Sequence, residues 1–326
     1  MNNYTPPYTI TTKILKLSTQ ISEELTKLKY TGESRTHPML RKKNRIKTLA
    51  GTLEIEGNFL GEEKITAILD GKKVLGTIKE VTEVQGAIKA YEKLDEYKFD
   101  NLDDLLLAHQ ILMDDILVSA GNFRNVNVKV GEHLAPPSHM VNDLMLKLFN
   151  WLKNSDEHML LKSCIFHYEF EFIHPFSDGN GRIGRLWQSV ILNSLNPIFS
   201  LLPTESIVRD YQEEYYNAIE NSTALGESTP FIEFMLEMIL KSMQNVEKDN
   251  VPLNVPNNVP LNRIEKIVEL INKNKDITIV ELSNILEVSD KTIKRDISKL
   301  KEQNRLKRVG SLKSGYWEII SEMETK

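Results

Sequence analysis

The sequence contains a single cysteine, Cys164, so no intrachain disulfide can form and a zinc site built from several thiolates is excluded. Chemistry by paired thiols is excluded with them. Nowhere do about 18 apolar residues run without a charge, so no membrane-spanning helix is expected. The opening residues, MNNYTPPYTITTK, have no apolar core of a signal peptide. A cytoplasmic protein without a membrane partner is therefore the expectation. Positive charge is not in excess either: 41 Lys and Arg against 46 Asp and Glu give a net charge of -5. Nucleic acid would find little overall attraction, and any binding must come from a local patch. The pattern G-x-x-x-x-G-K-[ST] is missing, which removes a P-loop nucleotidase. What remains is 40% hydrophobic and 27% charged, the composition of folded globular protein. At about 150 residues per domain, 326 residues suggest two domains.

One boundary stands out. VPLNVPNNVPLN, residues 251–262, places prolines at 252, 256 and 260, which remove amide donors and fix φ. It reads as an extended linker or as a strap on the preceding domain. Beyond it, Ile264, Ile267, Val268 and Ile271 follow helical spacing, Ile279, Leu282 and Leu286 begin a second helix, and Ile293, Ile297 and Leu300 follow a potential cap at Ser289. LKRVGSLKSGYWEII, with Gly310 and Gly315, reads as a hairpin. Three helices and a hairpin resemble a winged helix-turn-helix domain. Residues 291–313 carry nine Lys or Arg, Lys291, Lys294, Arg295, Lys299 and Lys301 among them, against two acidic residues. Such a patch suits DNA phosphates or forms the solvated face of a protein-docking module.

Before the linker the chain reads helical near 13–30, 40–55, 78–96, 102–117, 139–153, 157–172 and 181–195. Asn125 to Val130 breaks the pattern by alternating polar and apolar residues, with Val126, Val128 and Val130 on one side. Gly131, Glu132, His133 and Leu134 follow, so a β-hairpin is expected. It either stiffens a loop or offers a free edge to an extended peptide.

The chemistry concentrates in residues 174–185, HPFSDGNGRIGR. Ile183, Leu186, Trp187, Val190 and Ile191 define one buried stripe of a following helix, and Arg182 and Arg185 fall together on another face. Gly179, Asn180 and Gly181 precede that helix, so free amides and the positive dipole end converge on a place suited to phosphate. Asp178 beside it makes sense as a ligand of a divalent cation shared with phosphate oxygens. His174 can serve as a base near neutral pH. GNGRIG also matches G-x-G-x-x-G, but a dinucleotide site needs a preceding buried strand. FHYEFEF, residues 166–172, alternates like one, yet Leu161, Cys164, Ile165, Tyr168 and Phe172 equally fit a helix face. A third reading makes His174 a helix cap and the arginines surface charges.

HPFSDGNGRIGR resembles the signature of Fic-domain proteins, His-x-Phe-x-Asp/Glu-Gly-Asn-Gly-Arg-x-x-Arg, at every defined position, and GNFRNVNVKVGEHLAPP, residues 121–137, resembles their flap hairpin. The resemblance spans most of residues 8–245. It implies a mainly α domain that transfers AMP from Mg-ATP to a hydroxyl side chain of a protein. His174 would then take the proton of the incoming Tyr, Thr or Ser, and Asp178 would bind Mg²⁺. Asn180 with the Gly179 and Gly181 amides would hold the α-phosphate region, Arg182 and Arg185 the β- and γ-phosphates, and Phe176 would anchor the loop. The hairpin would align the target's main chain.

TLEIEGN, residues 52–58, resembles the family's inhibitory pattern [Ser/Thr]-x-x-x-Glu-[Gly/Asn]. Glu56 would then pair with Arg185 and take the guanidinium that the γ-phosphate needs. It would also be placed to orient water for removal of AMP. Tyr215 and Tyr216 resemble positions lining the nucleotide pocket, with Tyr216 the choice for adenine. The expected organisation is an N-terminal helical region at 1–100, a catalytic domain at 101–245, a linker at 246–261 and a winged-helix domain at 262–326, with ATP, a protein target, a homodimer partner and DNA as the partners. A nucleotide-sensing transcriptional regulator is the alternative.

Overall fold

The computed structural model describes residues 4–30, 38–131 and 133–250, with the side chains of 29–30, 38–40 and 247–250 excepted. Of the rest it describes residues 267, 268, 270–272, 274, 275, 277–286, 293, 294, 297, 298, 300, 301, 305–309 and 316–319, with the side chains of 284, 285 and 309 excepted. The chain divides into two compact units, 1–250 and 251–326.

The first unit is helical: α1 (Thr12–Tyr30), α2 (Pro38–Ile55), α3 (Gly61–Leu69), α4 (Ile78–Glu92), α5 (Leu102–Leu112), α6 (Val141–Asn154), α7 (Met159–Ile173), α8 (Asn180–Leu195), α9 (Thr204–Asp210), α10 (Gln212–Leu225) and α11 (Thr229–Asn250). Local chemistry starts several of them. Thr77 and Glu80 form a reciprocal capping box on α4, the Asn101 side chain caps α5 and the His158 ring caps α7. The α7 helix runs through the middle of the core and packs on α6, α8 and α11. Leu160, Cys164, Ile165, Phe166, Tyr168 and Phe170 are all buried on it. Being covered all round explains why its pattern also alternates: a helix without a solvent face shows no single stripe. FHYEFEF is thus helix, and no strand precedes the glycine-rich turn.

Two expected helices are shorter, with α4 ending at Glu92 and α5 at Leu112. After α5 the chain turns through Asp115 at φ 60°, a left-handed conformation that no helix continues. The α3, α9, α10 and α11 helices have no counterpart in the expected segments. The α10 helix buries only Tyr215, Ala218 and Ser222, a stripe too narrow and too polar to register as periodicity.

The flap hairpin is shorter than expected. Only Lys129–Val130 (β1) and His133–Leu134 (β2) pair, with Lys129 opposite Leu134 and Val130 opposite His133. One step out, the Ala135 amide still donates across the hairpin to the Val128 carbonyl at 3.3 Å; beyond that the Val126 carbonyl accepts from Arg124, and the Asn127 side chain accepts from the Ser138 amide.

In the second unit, α12 (Ile279–Ile285) opens on a capping box of Thr278 and Glu281. Strand β3 (Leu306–Val309) pairs antiparallel with β4 (Tyr316–Ile319). Ile267, Ile271, Leu282, Ile293, Leu300 and Trp317 close a separate small core, as a winged helix requires. Lys294 and Lys301 are exposed. Ile264, the proline-rich segment 251–262, Ser289, Lys291, Arg295, Lys299, Gly310 and Gly315 lie outside the described residues. Among the described residues no helix is long and apolar enough to cross a membrane.

Candidate active site

His174 sits where α7 ends. It is the C-cap residue in the left-handed conformation, φ 50°, its amide donating to Phe170 O at 2.9 Å. A cap position does not exclude a role for the ring, because the left-handed turn that stops α7 also turns His174 out of the helix. Burial pushes its pKa down to about 4, so the ring is neutral and able to accept a proton across the physiological range. Its Nδ1 is buried without a hydrogen-bond partner among the described residues. Glu171 Oε2 lies 3.9 Å away.

The loop after His174 is held by its own side chains. Phe176 is fully buried and stacks on His109 at 3.6 Å between ring centroids. The His109 Nε2 atom lies 3.0 Å from Asp178 O, and its Nδ1 accepts from the Gly121 amide at 2.8 Å, so Nε2 carries the proton. Asn180 is tied into this loop. Its side chain accepts from the Phe176 amide and donates to the Phe176 carbonyl, both at 2.8 Å, while its backbone amide opens α8. The Gly179 amide donates to Asp178 Oδ1 at 2.6 Å.

Arg182 and Arg185 are each 3% exposed, which overturns the surface-charge reading. They are also paired rather than free. Arg182 reaches Glu83 Oε1 and Asp178 Oδ1, both at 3.3 Å. Arg185 Nη2 donates to Glu56 Oε1 at 2.7 Å and to Thr52 O at 3.2 Å, and its Nε donates to Thr52 Oγ1 at 3.0 Å. Burial would raise the Glu56 carboxyl, but Arg185 outweighs it and holds the group below the usual range. Glu56 follows the last turn of α2, with Gly57 at φ 86° ending the helix. A Cβ on Gly181 would collide with Glu56 Oε1, so glycine is what lets the carboxylate lie on the first turn of α8. There the orphan amides and the helix dipole favour an anion. Asn58 adds a second tie by donating to Glu83 Oε2 at 2.9 Å, which links the end of α2 to the partner of Arg182.

Asp178 is half exposed, and among the described residues no three His, Cys, Asp or Glu gather as a metal cage. One open carboxylate beside an anion site fits Mg²⁺, which is commonly held by one or two carboxylates and the phosphates of its nucleotide. Tyr215 is buried against His167, whereas Tyr216 is 44% exposed. Its hydroxyl lies 3.5 Å from Gln212 Nε2, which also donates to Ile55 O at the end of α2. Val126 and Val130 are exposed on the hairpin, and Val128 is half-buried.

Glu83 and His109 lie in no sequence motif, and Arg124 and Glu171 lie inside segments 121–137 and 166–172 without being singled out there. Each is a lone polar residue among many, and only its burial shows that it belongs here.

Residues 98–192 match the Fic/DOC family and residues 263–311 a DeoR-like helix-turn-helix domain. Among curated proteins, the chain is 28% identical over 204 residues to a protein adenylyltransferase Fic of Culex quinquefasciatus, and 30% identical over 209 residues to protein adenylyltransferase fic-1 of Caenorhabditis elegans. Each alignment covers 59% of this chain and 39% of the relative, so the chain spans well under half the length of these proteins. Among solved structures, Fic-1 of C. elegans superposes with a TM-score of 0.60 at 23% identity, over 73% of this chain and 71% of that one, and shares the fold. A Fic family protein from Desulfovibrio desulfuricans G20 superposes with a TM-score of 0.76 at 35% identity, over 99% of this chain and 100% of that chain. Carrying the complete His174-to-Arg185 loop and aligning with that bacterial protein from end to end, the chain belongs to the Fic family.

Proposed function

We propose that the chain transfers AMP from Mg-ATP to a hydroxyl side chain of a protein, itself included, and that Glu56 holds this activity off. The observation that carries the reading is the meeting of His174, held at the end of α7, with an anion site whose arginine is already taken by the chain's own carboxylate. Relatives named protein adenylyltransferase support it.

With ATP in place, the target hydroxyl oxygen attacks the α-phosphorus, the bond to pyrophosphate breaks, and the hydroxyl proton passes to His174. Nδ1 is buried, so Nε2 takes it. Asp178 would hold Mg²⁺, which supplies charge neutralisation on the phosphates. The α8 amides and Arg182 orient the phosphates, and Arg185 grips the γ-phosphate once Glu56 has withdrawn, so positioning and fixed charge lower the barrier. The hairpin edge, with Val126, Val128 and Val130, aligns the target's main chain, and Tyr216 borders the adenine. Glu56 is also placed to orient water for the reverse removal of AMP. Intact-mass measurement of the purified protein with Mg-ATP tests the reading: added AMP supports it, and its absence from a Glu56→Gly protein contradicts it.

A second reading, DNA binding through residues 262–326, is favoured by the DeoR-like match. Titration of the full chain with duplex DNA at two salt concentrations decides it, since phosphate contacts weaken steeply with salt. Absence of binding at low salt removes this reading, and Lys294→Glu should weaken binding if it is right.

A further inference from the structure

We infer that Arg124 is a positioning residue that locks the catalytic histidine and the hairpin into one rigid unit. The inference rests on the proposed roles of His174 as base and of the hairpin as the target's docking edge, and adds a residue that sets the distance between them.

Arg124 lies between α5 and β1 and is 3% exposed. Its guanidinium donates only to carbonyls. Nε reaches His174 O at 2.7 Å, Nη1 reaches Val126 O at 2.8 Å, and Nη2 reaches Pro136 O at 2.6 Å and Ile173 O at 3.2 Å. The Arg124 amide donates to Pro175 O at 2.9 Å. Among the described residues it makes no ion pair with a carboxylate. A buried cation is costly unless its donors are satisfied, and here three chain segments turn carbonyls toward it: the end of α7, the entry to the hairpin and the exit from it.

Each segment needs what Arg124 supplies. The last turn of α7 leaves carbonyls without helical partners, and a cation there also complements the helix dipole. His174 holds a left-handed backbone, a conformation that a residue with a Cβ keeps only where its surroundings enforce it. The hairpin has just two paired residues on each strand, too few to hold a ladder unaided. A planar fork with five donors can bridge all three segments, and a lysine ammonium cannot. Arg124 therefore sets how far the imidazole stands from a hydroxyl docked on the hairpin edge.

The test compares Arg124→Met and Arg124→Lys in the Glu56→Gly background. Arg124→Met should slow labelling of a protein target by at least about tenfold, the scale of a small misplacement of reacting groups, with ATP affinity changed by less than about threefold. Its acid limb in the pH–rate profile should move to higher pH. Arg124 opposes charge on the His174 ring, as the His133 ring of β2 does, while the backbone of Glu171 on α7 and the Glu56 carboxylate of α2 favour it; the Glu171 carboxyl, 3.9 Å from Nδ1, keeps its own proton up to about pH 8, so loss of Arg124 leaves the protonated ring less opposed. Arg124→Lys keeps the charge and loses the fork, so its acid limb stays while its rate falls between the other two. A merely structural role would lower both rates without moving either limb.

Two outcomes overturn the inference: an Arg124→Met protein with the rate and profile of its parent, or an Arg124→Lys protein with the full rate. If Arg124→Met fails to fold, Arg124→Lys carries the test. If the Glu56→Gly protein itself transfers no AMP, the proposed activity has failed and not the clamp. The clamp is then read by NMR in the unlabelled proteins. Amide exchange at Val128–Ala135 must quicken in both variants and the His174 titration must rise in Arg124→Met; unchanged exchange overturns it.

Discussion

The Glu56 carboxylate meets the Arg185 guanidinium at 2.7 Å across 129 residues of sequence. Arg185 is almost wholly enclosed, and two further bonds to Thr52 fix its direction. Burial alone would make such a guanidinium easier to deprotonate, yet Glu56 reverses this and holds its pKa above the ordinary value. The same two side chains are thus a structural contact in the resting protein and a competitor to a γ-phosphate in the proposed reaction.

His174→Ala in a Glu56→Gly background should abolish AMP transfer while leaving ATP affinity within a few-fold, because the imidazole acts on the incoming hydroxyl. Radiolabel transfer and nucleotide titration on one preparation check both halves. Undiminished labelling would remove His174 from the reaction.

Gly51 packs α2 against α9 so closely that a Cβ there would lie 2.5 Å from Ser206 N and 2.6 Å from Glu205 C. Gly51→Ala should cost about 1–3 kcal/mol through overpacking and lower the melting temperature. Since α2 carries Thr52 and leads directly into Glu56, the displacement should also raise self-labelling with Mg-ATP. An unchanged melting temperature, or a lower one without added label, would show that this contact does not seat the brake.

Burial raises the Glu171 carboxyl to about 8, with Glu56 adding to the rise and Arg185 opposing it. Between its ordinary value of 4.5 and that folded value, the native state holds a proton that the unfolded chain has lost. This contribution to stability is therefore complete below the ordinary value and is lost as pH rises through about 8. Glu171→Gln keeps the shape and cannot ionise. Its melting temperature should fall less than the parent's as pH rises through that window, by a few degrees. Parallel curves would show that Glu171 is already ionised in the native protein.

The loop from His174 to Arg185 could be read directly because its chemistry is contiguous, and the stripe of Ile183, Leu186, Trp187, Val190 and Ile191 set the helix that presents it. The same helical wheel placed Arg182 and Arg185 together without telling what covers them, since their partners Glu83 and Glu56 arrive from helices about a hundred residues upstream. The Glu56–Arg185 pairing was legible only through the TLEIEGN resemblance. Asn180 illustrates a different limit: its type suits a phosphate, but the backbone of Phe176 claims its side chain. Alternation overstated the hairpin for the same kind of reason, because beyond the Val128–Ala135 bond the side chains of Arg124 and Asn127 take the backbone groups of Val126 and Ser138.

The central claim is that Glu56 restrains AMP transfer through Arg185, and intact-mass spectrometry of four proteins with Mg-ATP tests it most directly: parent, Glu56→Gly, Arg185→Ala and the double variant. Freeing a charge-assisted hydrogen bond worth roughly 1.5–3 kcal/mol for the γ-phosphate predicts at least about tenfold more AMP-labelled protein in Glu56→Gly. That gain should vanish when Arg185 is also removed, because the two residues act as one unit. A Glu56→Gly protein no more labelled than its parent, or a double variant that keeps the gain, would contradict the account.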